Sequence, residues 1–432
     1  MKFPFGLQRS IASVPLRKAS TVVACMTILM APGVSVRSVE AQSFSTLHVF
    51  EDRPDGSESF ANLISDRQGN LYGTTYVGGA FGAGTVFVVS PSGQEIVLHS
   101  FSGGADGGFP LAGLVRDGNG NLYGTTRSGG TFGNGTVFQL RGTTETVLYS
   151  FGVLPDGAQP DGTLLRDNAG NLYGTTVTGG NGTGTIFKLD PTGAETVLYT
   201  FCSRANCSDG ATPVGGLVRD KAGNFYGTTS HGGTSGVLGY GTVFKFDTND
   251  VETVLYSFTG QQDGAMPQAG LTIGVDGNLY GTTTYGGDAN CDPGLGCGTV
   301  FAFTAKGGGR ILHTFTGGDD GALPFGNLVQ DPSLCLYGTA EINGASGYGT
   351  VFAICGKRFV VLHSFGNSDG AYPNAGLLRD ANGNLSGTTA FGGDLNCGGG
   401  GGCGTVFKLV ANPGKTKPAR EPGTLTITLL PQ

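Results

Sequence analysis

One short phrase recurs seven times along this chain, and that recurrence constrains the fold more than any other feature. Asn70-Leu71-Tyr72-Gly73-Thr74-Thr75 returns with its Tyr at 123, 173, 226, 280 and 337, and a seventh copy has Ser386 in that place; the spacings are 51, 50, 53, 54, 57 and 49 residues. A second phrase follows each copy: Gly84-Thr85-Val86-Phe87 recurs from Gly135, Gly184, Gly241, Gly298, Gly349 and Gly404. A third, Val97-Leu98-His99-Ser100-Phe101, is echoed through Phe151, Phe201, Phe258, Phe315 and Phe365. An Asp-Gly pair then leads to Gly-Leu, in most units with a Pro four residues after the Asp, as in Asp369 to Leu377. A period of about 50 residues marks a repeat architecture in which each copy is one supersecondary unit.

Each unit carries four short β-branched and aromatic runs separated by Gly, Asn, Asp and Pro, which is the pattern of strands and turns. We label them a (the run typified by Leu114 to Asp117), b (Asn-Leu-Tyr-Gly-Thr-Thr), c (Gly-Thr-Val-Phe) and d (Val-Leu-His-Ser-Phe). Gly is 81 of 432 residues, and each interior Gly weakens a helix by about 1 kcal/mol, which disfavours a helical array. Four strands repeated seven times predict an all-β fold, a seven-bladed β-propeller of four-stranded blades. A β-helix coil would be about half as long, and a sandwich would not repeat its turn chemistry seven times.

The ends of the repeat predict how the ring closes. The first copy of strand d, Thr46 to Phe50, precedes the first strand a, and no such run follows the last strand c at Gly404 to Val410. Thr46–Phe50 is therefore expected as the outer strand of the last blade, removing the exposed edges of an open array. The alternative is that it forms an inner first strand of a contiguous blade. Blades pack face to face, so the Gly inside strand b (Gly73, Gly124, Gly174) is read as a close approach, with a Phe from the next blade as the expected occupant.

Residues 1–41 have the pattern of an export leader. Lys2, Arg9, Arg17 and Lys18 precede the apolar run Ala19 to Ala31, and Val39-Glu40-Ala41 predicts cleavage before Gln42. The apolar run is shorter than the roughly 20 residues of a spanning helix. Residues 42–410 are assigned to the propeller and 411–432 to a C-terminal linker or tail. After cleavage the chain would hold 20 basic against 31 acidic residues. That balance offers no basic footprint for nucleic acid.

These phrases resemble the GloVer tandem-repeat family, secreted or surface-attached bacterial proteins whose units read Asn-Leu-Tyr-Gly-Thr-Thr, Gly-Gly, Gly-Thr-Val-Phe and Val-Leu-Tyr-Ser-Phe. The resemblance covers residues 46–410. It implies the repeat fold and export, and it brings no catalytic residues. Family members often carry a C-terminal anchor, whereas Pro413 to Gly423 reads here as a linker.

Eight cysteines follow the leader, an even number in a chain read as exported, and predict disulfides. Spacing pairs Cys202 with Cys207, Cys291 with Cys297, and Cys397 with Cys403, each in a loop longer than its counterparts in other units. Cys335, at the start of one strand b, is expected opposite Cys355 at the end of the adjacent strand c. A metal reading would need Cys pairs assembled into one site, and these pairs fall in different blades.

In a propeller the d-to-a and b-to-c loops emerge on one face, the natural binding face. Seven Asp-Gly aspartates lie there (Asp55, Asp106, Asp156, Asp209, Asp263, Asp320, Asp369) and are read as turn residues. Asp66 and its equivalents before the a-to-b turn are read the same way. His48, His99, His313 and His363 share one strand-d position with Tyr149, Tyr199 and Tyr256, and are read as packing residues. The pair following Thr-Thr varies between copies, and Tyr76, Arg127, His231, Tyr285, Glu341 and Phe391 are singled out as a mixed aromatic and charged pocket. No catalytic triad, zinc-hydrolase motif or phosphate loop is present, so no cofactor or metal is called for. The sequence points to a monomeric, non-catalytic propeller, secreted to the exterior or the periplasm, that binds carbohydrate, protein or cell-surface material through its loop face. A secreted lyase or hydrolase using His231, Glu341 and Arg127, and a purely structural surface repeat, stand as alternatives.

Overall fold

The computed structural model describes residues 43–410 apart from 154, 235–237 and 292–294; the expected leader and tail lie outside the described residues. Blade one runs from strand a (Ile64–Ser65) through b (Leu71–Thr75) and c (Thr85–Val89) to d (Glu95–Ser100), all antiparallel. Five further blades repeat this order, giving the expected seven-bladed, four-stranded β-propeller. No α-helix occurs among the described residues. Strand a is shorter than expected: in blade two only Val115–Arg116 pairs. Asp117 has left the ladder for the turn, where its carboxylate accepts the main-chain N–H groups of Asn119 and Asn121.

Closure follows the first of the two expectations. Blade seven takes strands a, b and c from Leu378–Arg379, Leu385–Thr389 and Thr405–Val410, and strand d from the chain start at Ser43–Val49. Thr46 lies opposite Phe407 and Val49 opposite Thr405, so the two ends of the chain join in one sheet.

The Phe that ends each strand-d phrase is fully buried. It meets the strand-c Phe of the following blade, edge to face or tilted, with centroids 5.1–5.4 Å apart: Phe50 on Phe87, Phe101 on Phe138, Phe151 on Phe187, Phe201 on Phe244, Phe258 on Phe301, Phe315 on Phe352 and Phe365 on Phe407. Such a pair adds about 0.5–1.5 kcal/mol beyond its buried area. The strand-b Gly is indeed a close approach, but its occupant differs from the expectation. Gly73 pairs with Phe87 of its own blade, and a Cβ on Gly73 would lie 2.6 Å from Phe87 Cζ and 2.9 Å from Leu63 Cδ2. The antiparallel register places the ring there, and the neighbouring blade's Phe packs against the other side of that ring.

Hydroxyls of the Thr-Thr pair lock the loops. Thr74 Oγ1 donates to Ala112 O in the next blade, and the same link recurs from Thr175, Thr228 and Thr339. Thr75 Oγ1 and Thr85 Oγ1 stand 2.8 Å apart within the blade. The four expected disulfides are present, Cys202–Cys207, Cys291–Cys297, Cys335–Cys355 and Cys397–Cys403.

The candidate site, an axial cavity on the loop face

The d-to-a and b-to-c loops do share a face: Gly108 bridges Ser128, Ala211 bridges His231, and Ala371 bridges Phe391. One residue in each d-to-a loop fastens adjacent blades. Phe109 N–H donates to Ala83 O of blade one, and Phe109 O accepts from Arg127 N of blade two. Glu58, Gln159, Thr212, Met266, Leu323 and Tyr372 make the same two bonds at the other junctions. All seven adopt positive φ, between 52° and 59°, without being glycine. Such backbone strain persists where the surroundings fix it, here the two interblade bonds.

This left-handed turn directs the chain toward the axis. Two residues later, Phe60, Leu111, Asp161, Val214, Gln268, Phe325 and Asn374 line one cavity of about 500 Å³. The floor is small residues, including Ala61, Gly162, Gly215, Gly270 and Gly326. Every blade thus contributes one variable side chain on a constant frame. Sequence reasoning missed this ring; its signal is the variable residue directly after the Pro of the Asp-Gly phrase (after Ser59 in blade one), and Asp161 is its one acid.

Of the six residues singled out from the sequence, Arg127 and His231 line the cavity. Arg127 Nη1 donates to Asp161 Oδ2 at 2.5 Å. Asp161 is 5% exposed at its side chain, and its Oδ1 is buried without a hydrogen-bond partner. Burial pushes its carboxyl up to about 7, against the Arg127 charge that lowers it. Ser230 Oγ lies 3.0 Å from His231 Nδ1, and burial lowers the imidazole's pKa. Glu341 stands beside the lining residue Asn374; burial pushes its carboxyl up to about 7, and an Asn374 hydrogen bond lowers it. Tyr76 packs between Phe60, at 5.8 Å, and Phe109, at 5.4 Å, behind the lining. Tyr285 and Phe391 are outside the lining: their main chains pair with Ala265 and Ala371, and the Phe391 ring meets Tyr372. The cavity therefore offers a guanidinium–carboxylate pair, an imidazole, amides and two Phe rings.

The Asp-Gly aspartates are turn residues and also the partners of the strand-d His or Tyr. His48 Nε2 lies 2.9 Å from Asp55 and His363 Nε2 2.9 Å from Asp369, while Tyr149 and Tyr256 donate their hydroxyls to Asp156 and Asp263. His and Tyr alternate at this position because either presents a donor at that reach. Asp66 and its equivalents close the a-to-b turn: Asp66 accepts from Asn70 N, Asn70 Nδ2 and Tyr72 Oη, which accounts for the Asn-x-Tyr spacing of the repeat.

The family profile described as the Gloeobacter/Verrucomicrobia repeat matches residues 33–237, 97–292 and 203–407. No curated protein matches the chain in sequence. Among solved structures, the extracellular domain of a one-component system from B. thetaiotaomicron is similar at a TM-score of 0.53 and 10% identity, covering 85% of this chain and 40% of that one. The chain thus spans about two fifths of that protein's length. PorZ, a surface component of the type-IX secretion system of Porphyromonas gingivalis, gives 0.47 and 13%, covering 83% of this chain and 47% of that one. A gluconolactonase of Xanthomonas campestris gives 0.43 and 13%, covering 85% and 89%. At these identities the likeness concerns the fold alone.

Proposed function

The chain belongs to the Gloeobacter/Verrucomicrobia repeat family, and from that premise we propose that it is an exported propeller that binds a small polar ligand of the carbohydrate class in its axial cavity. The observation that carries this reading is the Arg127–Asp161 pair of the cavity lining: a buried carboxylate holds by Oδ2 a guanidinium whose side chain is 34% exposed. The guanidinium keeps N–H donors beyond the one on Asp161, and these suit the oxygens of a polyhydroxyl ligand while Asp161 fixes their direction. Phe60 and Phe325 offer flat apolar faces of the kind that stack on a sugar ring, and Gln268 and Asn374 offer amides of either polarity. Export is supported by the basic-then-apolar start of the chain and by four disulfides, which persist in oxidising compartments. Cleavage before Gln42 would place the ring-closing strand Ser43–Val49 at the new N-terminus.

The mature protein screened on a glycan array, with calorimetry on the hits, tests this. Asp161→Asn removes the charge and is expected to weaken binding at least tenfold. A hit whose affinity is the same in Asp161→Asn and Arg127→Gln, or an array without hits, overturns the cavity reading. A second reading, a protein partner seated on the loop tips, is favoured by the exposed apolar side chains Phe81, Phe132, Leu295 and Leu395 on the b-to-c loops. Phe81→Ser with Phe132→Ser would abolish that contact and leave sugar binding intact.

A further inference from the structure

The junction where the ring closes holds three side chains with metal-ligand chemistry, far along the sheet from the axial cavity. His48 comes from strand d of blade seven (Ser43–Val49), Asp55 from the loop that follows, and Glu95 from the first position of strand d in blade one (Glu95–Ser100). One ligand atom from each lies within 4.8 Å of the other two. Among the described residues this is the set of His, Cys, Asp and Glu side chains that meets that geometry.

We propose that His48, Asp55 and Glu95 form a site for a zinc-class divalent cation that ties the last blade to the first. The donor set is one imidazole nitrogen and two carboxylate oxygens, which suits zinc with water in a fourth position. Calcium takes six to eight oxygens and magnesium six, more than two carboxylates supply. In a tetrahedral zinc site the ligand atoms stand about 3.4 Å apart. His48 Nε2 and Asp55 Oδ2 stand 2.9 Å apart, and a Glu95 oxygen lies within 4.8 Å of both, so modest side-chain shifts reach that spacing. The pocket is already fixed: Asp55 is 9% exposed at its side chain, and its second oxygen is anchored by Glu51 N–H at 3.0 Å. Glu95 Oε1 is buried with no hydrogen-bond partner, as is Oε1 of its counterparts Glu145 and Glu195; here the glutamate stands beside a close His–Asp pair.

The other junctions show what the repeat does without such a set. Where Tyr149 replaces the His, its hydroxyl donates to Asp156. Where Phe359 or Phe44 replaces the Glu, it stacks on His313 or His363 at 3.8 Å. Between blades one and two the same residue types recur as His99, Asp106 and Glu145, but more loosely: His99 Nε2 is 3.4 Å from Asp106, and the three do not bring a ligand atom each within 4.8 Å of one another. The complete, close arrangement thus occurs at the junction whose strand d is supplied by the other end of the chain.

The experiment uses the full mature chain with its disulfides intact, stripped with a chelator and titrated with zinc chloride. Calorimetry is expected to show one zinc per chain, and the thermal midpoint is expected to rise with zinc concentration. His48→Tyr is the discriminating variant, because Tyr at this position keeps the hydrogen bond to Asp in three other blades. It is expected to unfold at the metal-free midpoint of the unaltered chain and to show no response to zinc. Glu95→Gln is expected to weaken zinc binding at least tenfold. Absence of zinc binding, or binding that survives both substitutions, overturns the proposal.

Discussion

Gly124 lies opposite Phe138, and a Cβ there would stand 2.7 Å from Phe138 Cζ and 2.9 Å from Leu114 Cδ2. Neither neighbour can withdraw: Phe138 is held by Phe101 of the previous blade at 5.1 Å, and Leu114 is buried in the same cluster. Gly124→Ala is therefore expected to destabilise the protein by about 1–3 kcal/mol, the cost of overpacking a filled core. Gly118→Ala, at a turn where nothing lies within 4 Å, serves as the near-neutral control. Urea midpoints measure both, and equal midpoints would show that the ring over Gly124 gives way. The sequence told that something approaches this glycine because the glycine repeats; it could not tell which Phe, since both candidates recur with the same period. The axial ring was harder still to read. Its direction depends on a left-handed residue two places earlier, and Glu58, Phe109, Gln159, Thr212, Met266, Leu323 and Tyr372 include none of the Gly or Asn that usually mark positive φ.

At the scale of the blade, legibility follows locality. Strand order, loop face and disulfide partners depend on spacing within one unit, and the phrases carry that spacing directly. Blade six shows what happens when a phrase is altered. Cys335 replaces the Asn that elsewhere bonds the turn Asp, and Ala340 replaces the second Thr, so the hydroxyl pair seen at Thr75 and Thr85 is missing there. Asp331 still accepts from Cys335 N–H and Tyr337 Oη, but has no side-chain amide to bind. The Cys335–Cys355 bridge clamps the same ends of strands b (Leu336–Ala340) and c (Thr350–Cys355). Its sequence separation of 20 is the largest of the four. On loop-closure grounds such a bridge contributes about 3 kcal/mol, and the short bridges at the loop tips contribute less. Cys335→Ala with Cys355→Ala is expected to lower the urea midpoint more than Cys202→Ala with Cys207→Ala. The reverse order would place the stabilising bridge at the loop tip.

For the whole ring the decisive variable is pH, because its acids divide into two groups of opposite sign. In Asp66, Asp117, Asp167 and Asp220 desolvation is the largest single influence and raises the carboxyl, but the turn hydrogen bonds together outweigh it and hold all four below the usual range. Their contribution is present above about pH 4 and is lost as pH falls through the lowered folded value. Glu145 and Glu195 behave oppositely. Each begins a strand d (Thr144–Ser150 begins one residue earlier), is half-buried against the preceding blade, and has an Oε1 without a partner. Burial first, and then the neighbouring Asp106 or Asp156 charge, pushes both carboxyls up to about 7. A raised folded value favours the protonated native state, so this contribution is complete below the unfolded value near 4.5 and is lost as pH rises through 7. Each tenfold change in a carboxyl's proton affinity is worth about 1.4 kcal/mol; with both groups partly solvated, about 1 kcal/mol each is the appropriate scale. Stability is thus expected to peak near pH 4.5, to fall between about pH 4.5 and 7, and to level off above that. Glu145→Gln with Glu195→Gln, which fixes both sites neutral, should make the fall between pH 4.5 and 7 shallower, the remainder coming from Glu95, Asp161, Glu252 and Glu341, which burial raises in the same way. Thermal midpoints across that range decide it, and a midpoint that rises from pH 5 to 7 in the unaltered chain would show that these carboxyls are ionised in the folded ring.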